Sequence, residues 1–399
     1  MLELETAIER ILAAVPPPSS EQIPLTSAAG RILAETLRSP IDLPLFDNSS
    51  MDGYAVRSVD VAKAAKEKPV RLKIVARIAA GQSWEGELGE QTCARLFTGS
   101  PLPRGADSVV MQEDTRVDSG EFVDVLESAR PWENVRLQGE DIKRGSIIAG
   151  QGACLTPAAL MVLAATGFAR VNVARRPQVG LLATGSELIE PGGKPGAGTI
   201  YESNRIGLAA LVSRTGGIPK IFPIVADTHA GTTTALRAAL TQCDILVTSG
   251  GVSVGEMDFI KPALQELGGS LDFWKVAIKP GRPFVFGKAQ GKLLFGLPGN
   301  PISAFVTFLL LVRPALLRWQ GAAETGLPLF HGILAEPLVN DGGRRHFMRV
   351  KLDDQGKVRS AGVQASHIFS SMAAATGLVD VPPATTLPAG TSVNILHWD

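Results

Sequence analysis

The chain is short of several residue types, and each shortage closes off a class of protein. Only three cysteines occur in 399 residues, Cys93, Cys154 and Cys243. They lie far apart, are odd in number and form no Cys-x-x-Cys pair, which argues against a disulfide framework or a zinc knot and for a reducing compartment. Structural burial is the expectation for each. The histidines are His229, His331, His346, His367 and His397, scattered and without metal-ligand spacing. Neither charge is in excess, with 39 Lys plus Arg against 39 Asp plus Glu, so no basic field calls for nucleic acid. Long hydrophobic runs are also missing. The longest, Ile302 to Leu311, is broken by Ser303 and Thr307, meets Arg313 and Pro314, and reads as too short to span a bilayer. The segment Met1 to Thr6 is acidic and has no signal-peptide apolar region. No Gly-x-Ser-x-Gly, Walker A or full Gly-x-Gly-x-x-Gly pattern appears. The expectation is a soluble, cytoplasmic protein with neither membrane nor nucleic acid as partner.

What is present is ample apolar content, 45% of residues, in a chain long enough for roughly two to four domains. Apolar positions at helical spacing (Leu4, Ile8, Ile11, Leu12, Val15) predict a helix ended by Pro16-Pro17-Pro18. A second helical stretch is expected over 27–35. From Pro44 to about Arg136, short alternating runs separated by Gly and Pro turns predict a β-rich domain. A helix at 156–166 and a strand at 170–173 follow. Segments 19–43 and 138–175 then read as one elongated connecting domain, cut by the β-rich insertion at 44–137. Over 176–326 strands alternate with helices. The predicted strands are 179–183, 219–225, 244–248, 270–275, 283–287 and 292–296; the helices are 203–215, 229–241, 256–267 and 302–319. That pattern belongs to a doubly wound α/β sheet closed at its end by a hairpin. Residues 327–399 show alternating runs and no helix, a small β-barrel or sandwich.

Three of these strands run into glycine-rich turns. Asp244 to Thr248 leads into Ser249-Gly250-Gly251-Val252-Ser253 and then Glu256 and Asp258. Val179 to Ala183 leads into Thr184-Gly185-Ser186-Glu187. Lys292 to Phe295 leads into Gly296-Leu297-Pro298-Gly299-Asn300-Pro301. Paired glycines let backbone N–H groups face a ligand with no Cβ in the way, which suits a phosphate or other oxyanion. In an open parallel sheet ligands bind outside the carboxyl ends of the strands, so three such turns together describe a site.

Glu187, Asp227 and Asp258 each follow a different strand end, and magnesium needs only one or two protein carboxylates plus phosphate oxygens. Asp227 is equally placed to cap the helix after it. Asp52, on a turn before Gly53, is easily presented to a cleft, whereas Asn48 reads as turn chemistry. Lys275, Lys279 and Arg282 sit on a stiff segment rich in Pro and Gly, which suits point-charge recognition of an oxyanion. Residue chemistry thus reaches a multidomain enzyme acting on a phosphorylated or pyrophosphorylated small molecule with Mg2+.

Eight segments, in order along the whole chain, carry a resemblance. They are D-N-S-S-M-D-G-Y-A-V from Asp47, L-F-T-G-S-P from Leu96, G-E-D-I-K from Gly139 and A-T-G-S-E-L from Ala183. S-G-G-V-S-V-G-E-M-D from Ser249, F-W-K-V-A-I-K-P-G-R-P from Phe273, G-L-P-G-N-P from Gly296 and S-H-I-F-S-S from Ser366 follow. The chain resembles the molybdopterin molybdenumtransferases, the MoeA family, also represented by the C-terminal domain of gephyrin. The resemblance implies a molybdopterin-binding-like α/β domain at 176–326, with the helix of 1–18 packed on it, and a C-terminal β-barrel at 327–399. It implies an elongated homodimer that inserts molybdate into adenylylated molybdopterin and releases AMP by hydrolysis.

Carried over by resemblance, the functional acids are Asp52, Asp141, Glu187, Asp227 and Asp258, with Thr98 beside them. The binding positions are Lys275, Lys279, Pro298, Pro301, Arg136, Arg349 and Ser366, joined by Gly250, Gly251, Ser253 and Asn300 of the turns. Ser50 and Arg282 stand where Ala and Lys are expected, and the segment around Arg349 is less typical. Because Asp52 and Lys279 fall in different domains, a site shared between two chains is expected. A molybdopterin adenylyltransferase and the recipient apo-molybdoenzymes are implied as partners. Two other readings, that the chain is itself a molybdopterin adenylyltransferase or a gephyrin-like scaffold, fit the architecture less well. The first family has a single domain and T-T-G-G-T for S-G-G-V-S; gephyrin carries a further N-terminal domain and a long linker.

Overall fold

The computed structural model describes residues 1–118, 120–252 and 259–398. Its centre is a six-stranded sheet. In spatial order the strands are Ile218–Ile221, Gln178–Ala183, Ile245–Ser249, Lys292–Leu297, Val285–Ala289 and Ser270–Trp274. The first four are parallel, and Val285–Ala289 runs antiparallel to both neighbours. The hairpin expected at the end of the sheet therefore lies inside it, with Ser270–Trp274 as the outer edge.

Helices cover both faces, so the inner strands are apolar on both sides. Side chains of a strand point alternately to opposite faces. Val179, Leu181, Ile245, Val247, Leu293 and Phe295 enter one core, with Leu4, Ala7 and Ile11 of the Leu4–Ala14 helix. Leu182, Leu246 and Leu294 enter the other.

The apolar run near residue 302 is part of a continuous helix, Pro301–Trp319, of 19 residues. By length and composition it could cross a bilayer, contrary to the expectation, but 72% of its apolar window is buried within the protein. It is a core helix. Its middle, Phe308–Val312, widens to π geometry just before Pro314, which has no N–H to donate.

A second six-stranded sheet, ordered Ser108–Met111, Gly53–Val56, Thr92–Leu96, Val70–Ile78, Phe122–Val125 and Thr115–Asp118, forms the β-rich part. The chain on either side of it pairs back on itself: Ser20–Pro24 with Arg170–Ala174, and Leu37–Arg38 with Ile147–Ala149. The helix expected over 27–35 does not form. Leu25–Ser27 is a 3-10 turn, Gly30 adopts φ +70°, and Ile32 and Leu33 bridge to Cys154 and Val173 instead. Cys154 is exposed, unlike Cys93 and Cys243.

The C-terminal sheet runs Ile278–Lys279, Arg345–Leu352, Gly377–Val381, Ser392–His397 and Leu329–Ile333. Its first strand is borrowed from the lysine-bearing segment of the α/β part. One short helix, Phe369–Ala373, appears where none was expected.

Candidate active site

A cleft of about 760 Å³ opens at the carboxyl ends of Gln178–Ala183, Ile245–Ser249 and Lys292–Leu297. From Gln178–Ala183 the chain continues to Ile218–Ile221 on one side, then crosses to Ile245–Ser249 on the other. The strand order thus reverses here, and a crevice at this switch point is where open α/β sheets take ligands. All three expected turns reach it. Glu187, Asp227, Gly250, Gly251, Pro298, Asn300 and Pro301 line it together.

The turn after Ile245–Ser249 requires its glycines. Gly250 and Gly251 have φ +87° and +63°. A Cβ at Gly250 would lie 2.5 Å from the Thr184 carbonyl oxygen, and one at Gly251 would lie 2.9 Å from Thr184 Oγ1. That hydroxyl is buried and has no hydrogen-bond partner among the described residues, and the same holds for Thr248 Oγ1 at the end of the strand.

Asp227 and Ser186 hold one another. Ser186 N–H donates to Asp227 Oδ2 at 3.0 Å, and Asp227 N–H donates to Ser186 Oγ at 3.0 Å. The helix His229–Leu240 is capped by Thr228, whose hydroxyl accepts from Gly231 N–H. The capping alternative for Asp227 is thereby removed, and its carboxylate belongs to the lining of the cleft. Asp258 and Ser253 lie outside the described residues. Among those described, no three His, Cys, Asp or Glu side chains converge as a preformed metal cage; Glu187 and Asp227 supply two carboxylates to one cleft.

Neither Lys275 nor Lys279 lines the cleft; Pro283 of their segment does. Lys275 holds φ +78°, rare for a residue with a side chain, and places Nζ 4.4 Å from the centre of the Trp274 ring. Lys279 is exposed and pairs in register with His346. Arg344 donates to Ile278 O at 2.9 Å. Among the described residues Lys279, Arg282 and Arg344 form no ion pair. Burial, then the charges of Lys279, Arg349 and Arg344, push buried His346 down to about 4, so it is neutral at pH 7.

Ser366, from the C-terminal part, accepts a hydrogen bond from Asn300 Nδ2 at 3.1 Å, and His367 and Phe369 line the cleft beside it. Arg349 holds part of the C-terminal fold, with Nη1 buried and without a partner among the described residues. It is fully buried; Nε donates to Ser371 Oγ at 2.9 Å and Nη2 to the carbonyls of Val363 and Ala365. It therefore anchors the loop that carries Ser366.

Besides Lys275, Lys279 and Arg349, four further expected residues do not line this cleft. Thr98 donates to Asp52 Oδ1 from both N–H and Oγ1 at 2.8 Å, and these bonds hold the Asp52 carboxyl below its ordinary range. Arg136 is exposed on a short ladder opposite Asn48, and Asn48 donates to Phe46 O, the turn role expected of it. Asp141 is exposed beside a separate cavity of about 370 Å³. Residues that sequence reasoning missed include Asn204 and Tyr201, both at the cleft. Their one signal is the Tyr201-Glu202-Ser203-Asn204 run opening the helix Asn204–Arg214.

Fold and cleft together define a multidomain α/β protein with a crevice at a sheet switch point, where open α/β sheets take ligands. Residues 2–167 match the MoeA N-terminal region (domain I and II), 180–318 a probable molybdopterin binding domain, and 331–398 the MoeA C-terminal region (domain IV). The molybdopterin molybdenumtransferase of Haemophilus influenzae is 40% identical over 377 residues, covering 93% of this chain and 92% of that protein. That of Bacillus subtilis is 32% identical over 402 residues, covering 99% and 94%. The crystal structure of the molybdopterin biosynthesis MoeA protein from Pyrococcus horikoshii superposes with a TM-score of 0.86 at 30% identity, covering 99% of each chain. The chain belongs to the MoeA family, the molybdopterin molybdenumtransferases of molybdenum cofactor biosynthesis.

Proposed function

We propose that the chain inserts molybdate into the dithiolene of adenylylated molybdopterin and that water then cleaves the pyrophosphate bridge, releasing AMP. The observation that carries this reading is the cleft itself: a glycine turn without Cβ atoms stands beside Glu187 and Asp227 at the strand ends. A pyrophosphate needs close approach of hydrogen-bond donors and a neutralising charge, and this arrangement offers room for both. Glu187 and Asp227, with Asp258 as a third carboxylate, would hold Mg2+, which supplies positive charge at the pyrophosphate oxygens. The cations around Lys279, which form no ion pair among the described residues, with Lys275 nearby, suit the oxyanion molybdate, because like charges held together favour an anion.

The same reading takes the working unit as a homodimer. Asp52, Thr98, Arg136 and Asp141 belong to parts of the chain away from the cleft, and a two-fold partner can bring its own set over it. The helix Pro157–Ala165 favours a second copy: all nine residues are apolar, only Leu163 is buried, and Met161 is 75% exposed. We assign the molybdopterin adenylyltransferase as supplier of the substrate and apo-molybdoenzymes as recipients, in a cytoplasmic setting.

The test is incubation of the pure protein with adenylylated molybdopterin. AMP release that rises with added molybdate, without ATP consumption, is expected. Release indifferent to molybdate refutes the coupled reaction, and full release in chelator refutes the magnesium role.

A further inference from the structure

The two turns that follow the neighbouring strands Ile245–Ser249 and Lys292–Leu297 line the cleft side by side and are bridged by the side chain of Asn204. Asn204 Nδ2 donates to Ser249 Oγ at 2.5 Å and to Gly299 O at 2.8 Å. Both amide hydrogens are thereby used, one on each lip. Asn204 is itself held from below. Glu202 is buried and accepts from Arg205 N–H at 2.9 Å, closing the first turn of the helix. Its other oxygen accepts from Arg205 Nε at 2.8 Å, and that buried guanidinium also pairs with Glu190. A first-turn residue pinned by a buried ion pair has little freedom to swing.

The consequence falls on Ser249. Its hydroxyl already accepts from Asn204, so its own proton must be donated elsewhere. Ser249 is 3% exposed and lines the cleft. Beside it lies the hydroxyl of Thr184, which has no partner among the described residues. A buried donor without an acceptor is costly, and a ligand oxygen in the cleft would relieve the cost. Gly250 N–H is already bonded to Leu297 O, so that N–H is not free for a ligand.

We infer that Ser249 is a ligand-contacting donor aimed by Asn204, which is a positioning residue setting the gap between the Ser249-Gly250-Gly251 and Pro298-Gly299-Asn300 turns. The acceptor is an oxygen of the pterin nucleotide's phosphate chain, the class of ligand that combines acceptor oxygens with a glycine turn. This rests on the reading that adenylylated molybdopterin occupies the cleft.

The experiment is a double-mutant cycle of Asn204→Ala and Ser249→Ala, with adenylylated molybdopterin as probe and melting temperature as a control. Removal of the serine hydroxyl should raise KM about tenfold, as loss of one hydrogen bond to a charged group does, with kcat little changed. Asn204→Ala should do the same, and the double variant should be no worse than either single, since the two act as one device. A role in folding alone would lower the melting temperature and leave KM unmoved. Unchanged KM in Ser249→Ala overturns the donor role even if Asn204→Ala fails to fold. Additive effects overturn the claim that Asn204 acts through Ser249. If wild-type protein neither binds nor turns over the probe, the fault lies instead with the assignment of the cleft.

Discussion

Replacing Gly250 by alanine should cripple the cleft, and its cost can be built from two parts. At φ +87° a residue with a Cβ is strained by about 1–2 kcal/mol. The new methyl also lies 2.5 Å from the carbonyl oxygen of Thr184. That residue is tied into the sheet end by its own N–H to Ser249 O at 3.0 Å and by a bridge to Val225, so it cannot simply move aside. Overpacking of this kind costs about 1–3 kcal/mol. The expected total is about 2–5 kcal/mol. Gly268→Ala is the matched control: its φ is +72°, but nothing lies within 4 Å of the new methyl. It should lose only the first part. A chain of several bodies need not unfold in one step. The readout is therefore hydrogen exchange in the Ile245–Ser249 strand along a urea titration, together with affinity for adenylylated molybdopterin. If both variants lose the same stability, the close approach of Thr184 does not constrain the turn and the reasoning fails.

Three further outcomes are expected. His346 has its pKa depressed from 6.5 to about 4, so between those values the unfolded chain binds a proton that the folded chain refuses. Stability should fall as pH drops through that window, by on the order of 3 kcal/mol in all, and His346→Phe should abolish that share of the slope; parallel curves would refute it. Asp52 is depressed by hydrogen bonds from Thr98, so their contribution is present above the ordinary carboxylate pKa and is lost as pH falls through the lower folded value. In Thr98→Val one of the two donors is gone, and carboxyl NMR should show the Asp52 pKa moved upward; an unmoved titration removes Thr98 as its cause. Mixing inactive Asp52→Ala and Lys279→Ala proteins under subunit exchange should restore activity, because one site of each mixed dimer carries both lesions and the other carries neither. Exchange without recovery would mean that each chain builds its own site.

The α/β part is legible in the sequence because its two signals are local. Continuous apolar runs bounded by glycine mark Gln178–Ala183, Ile245–Ser249 and Lys292–Leu297 within a residue or two. Gly250 and Gly251 need positive φ, and Gly185 and Gly296 a close approach, so the residue type itself announces a turn. The failures have the opposite cause. Over 27–35 the alanines favour helix, but Ile32 and Leu33 gain more by bridging to distant residues near 154 and 173. No local period carries that information. Asn204 reads as an ordinary residue at a helix start, and only the fold brings Ser249 and Gly299 to its two amide hydrogens.

Arg349 shows why identity of a residue and its role separate. The motif selects an arginine there, and a basic group in a molybdenumtransferase invites the reading of a direct anion contact. In the fold its Nε and Nη2 are given to Ser371 and to the carbonyls of Val363 and Ala365, while Nη1 is buried without a partner among the described residues. An arginine offers five donors in a fixed fork, more than a lysine could, and three neighbouring acceptors are what a loop with no ladder of its own requires. That loop delivers Ser366 to Asn300 on the lip of the cleft. A substitution at Arg349 would therefore act on the cleft through the position of Ser366, and lysine would not replace it, because the charge would be kept while the fork that holds the loop would be lost.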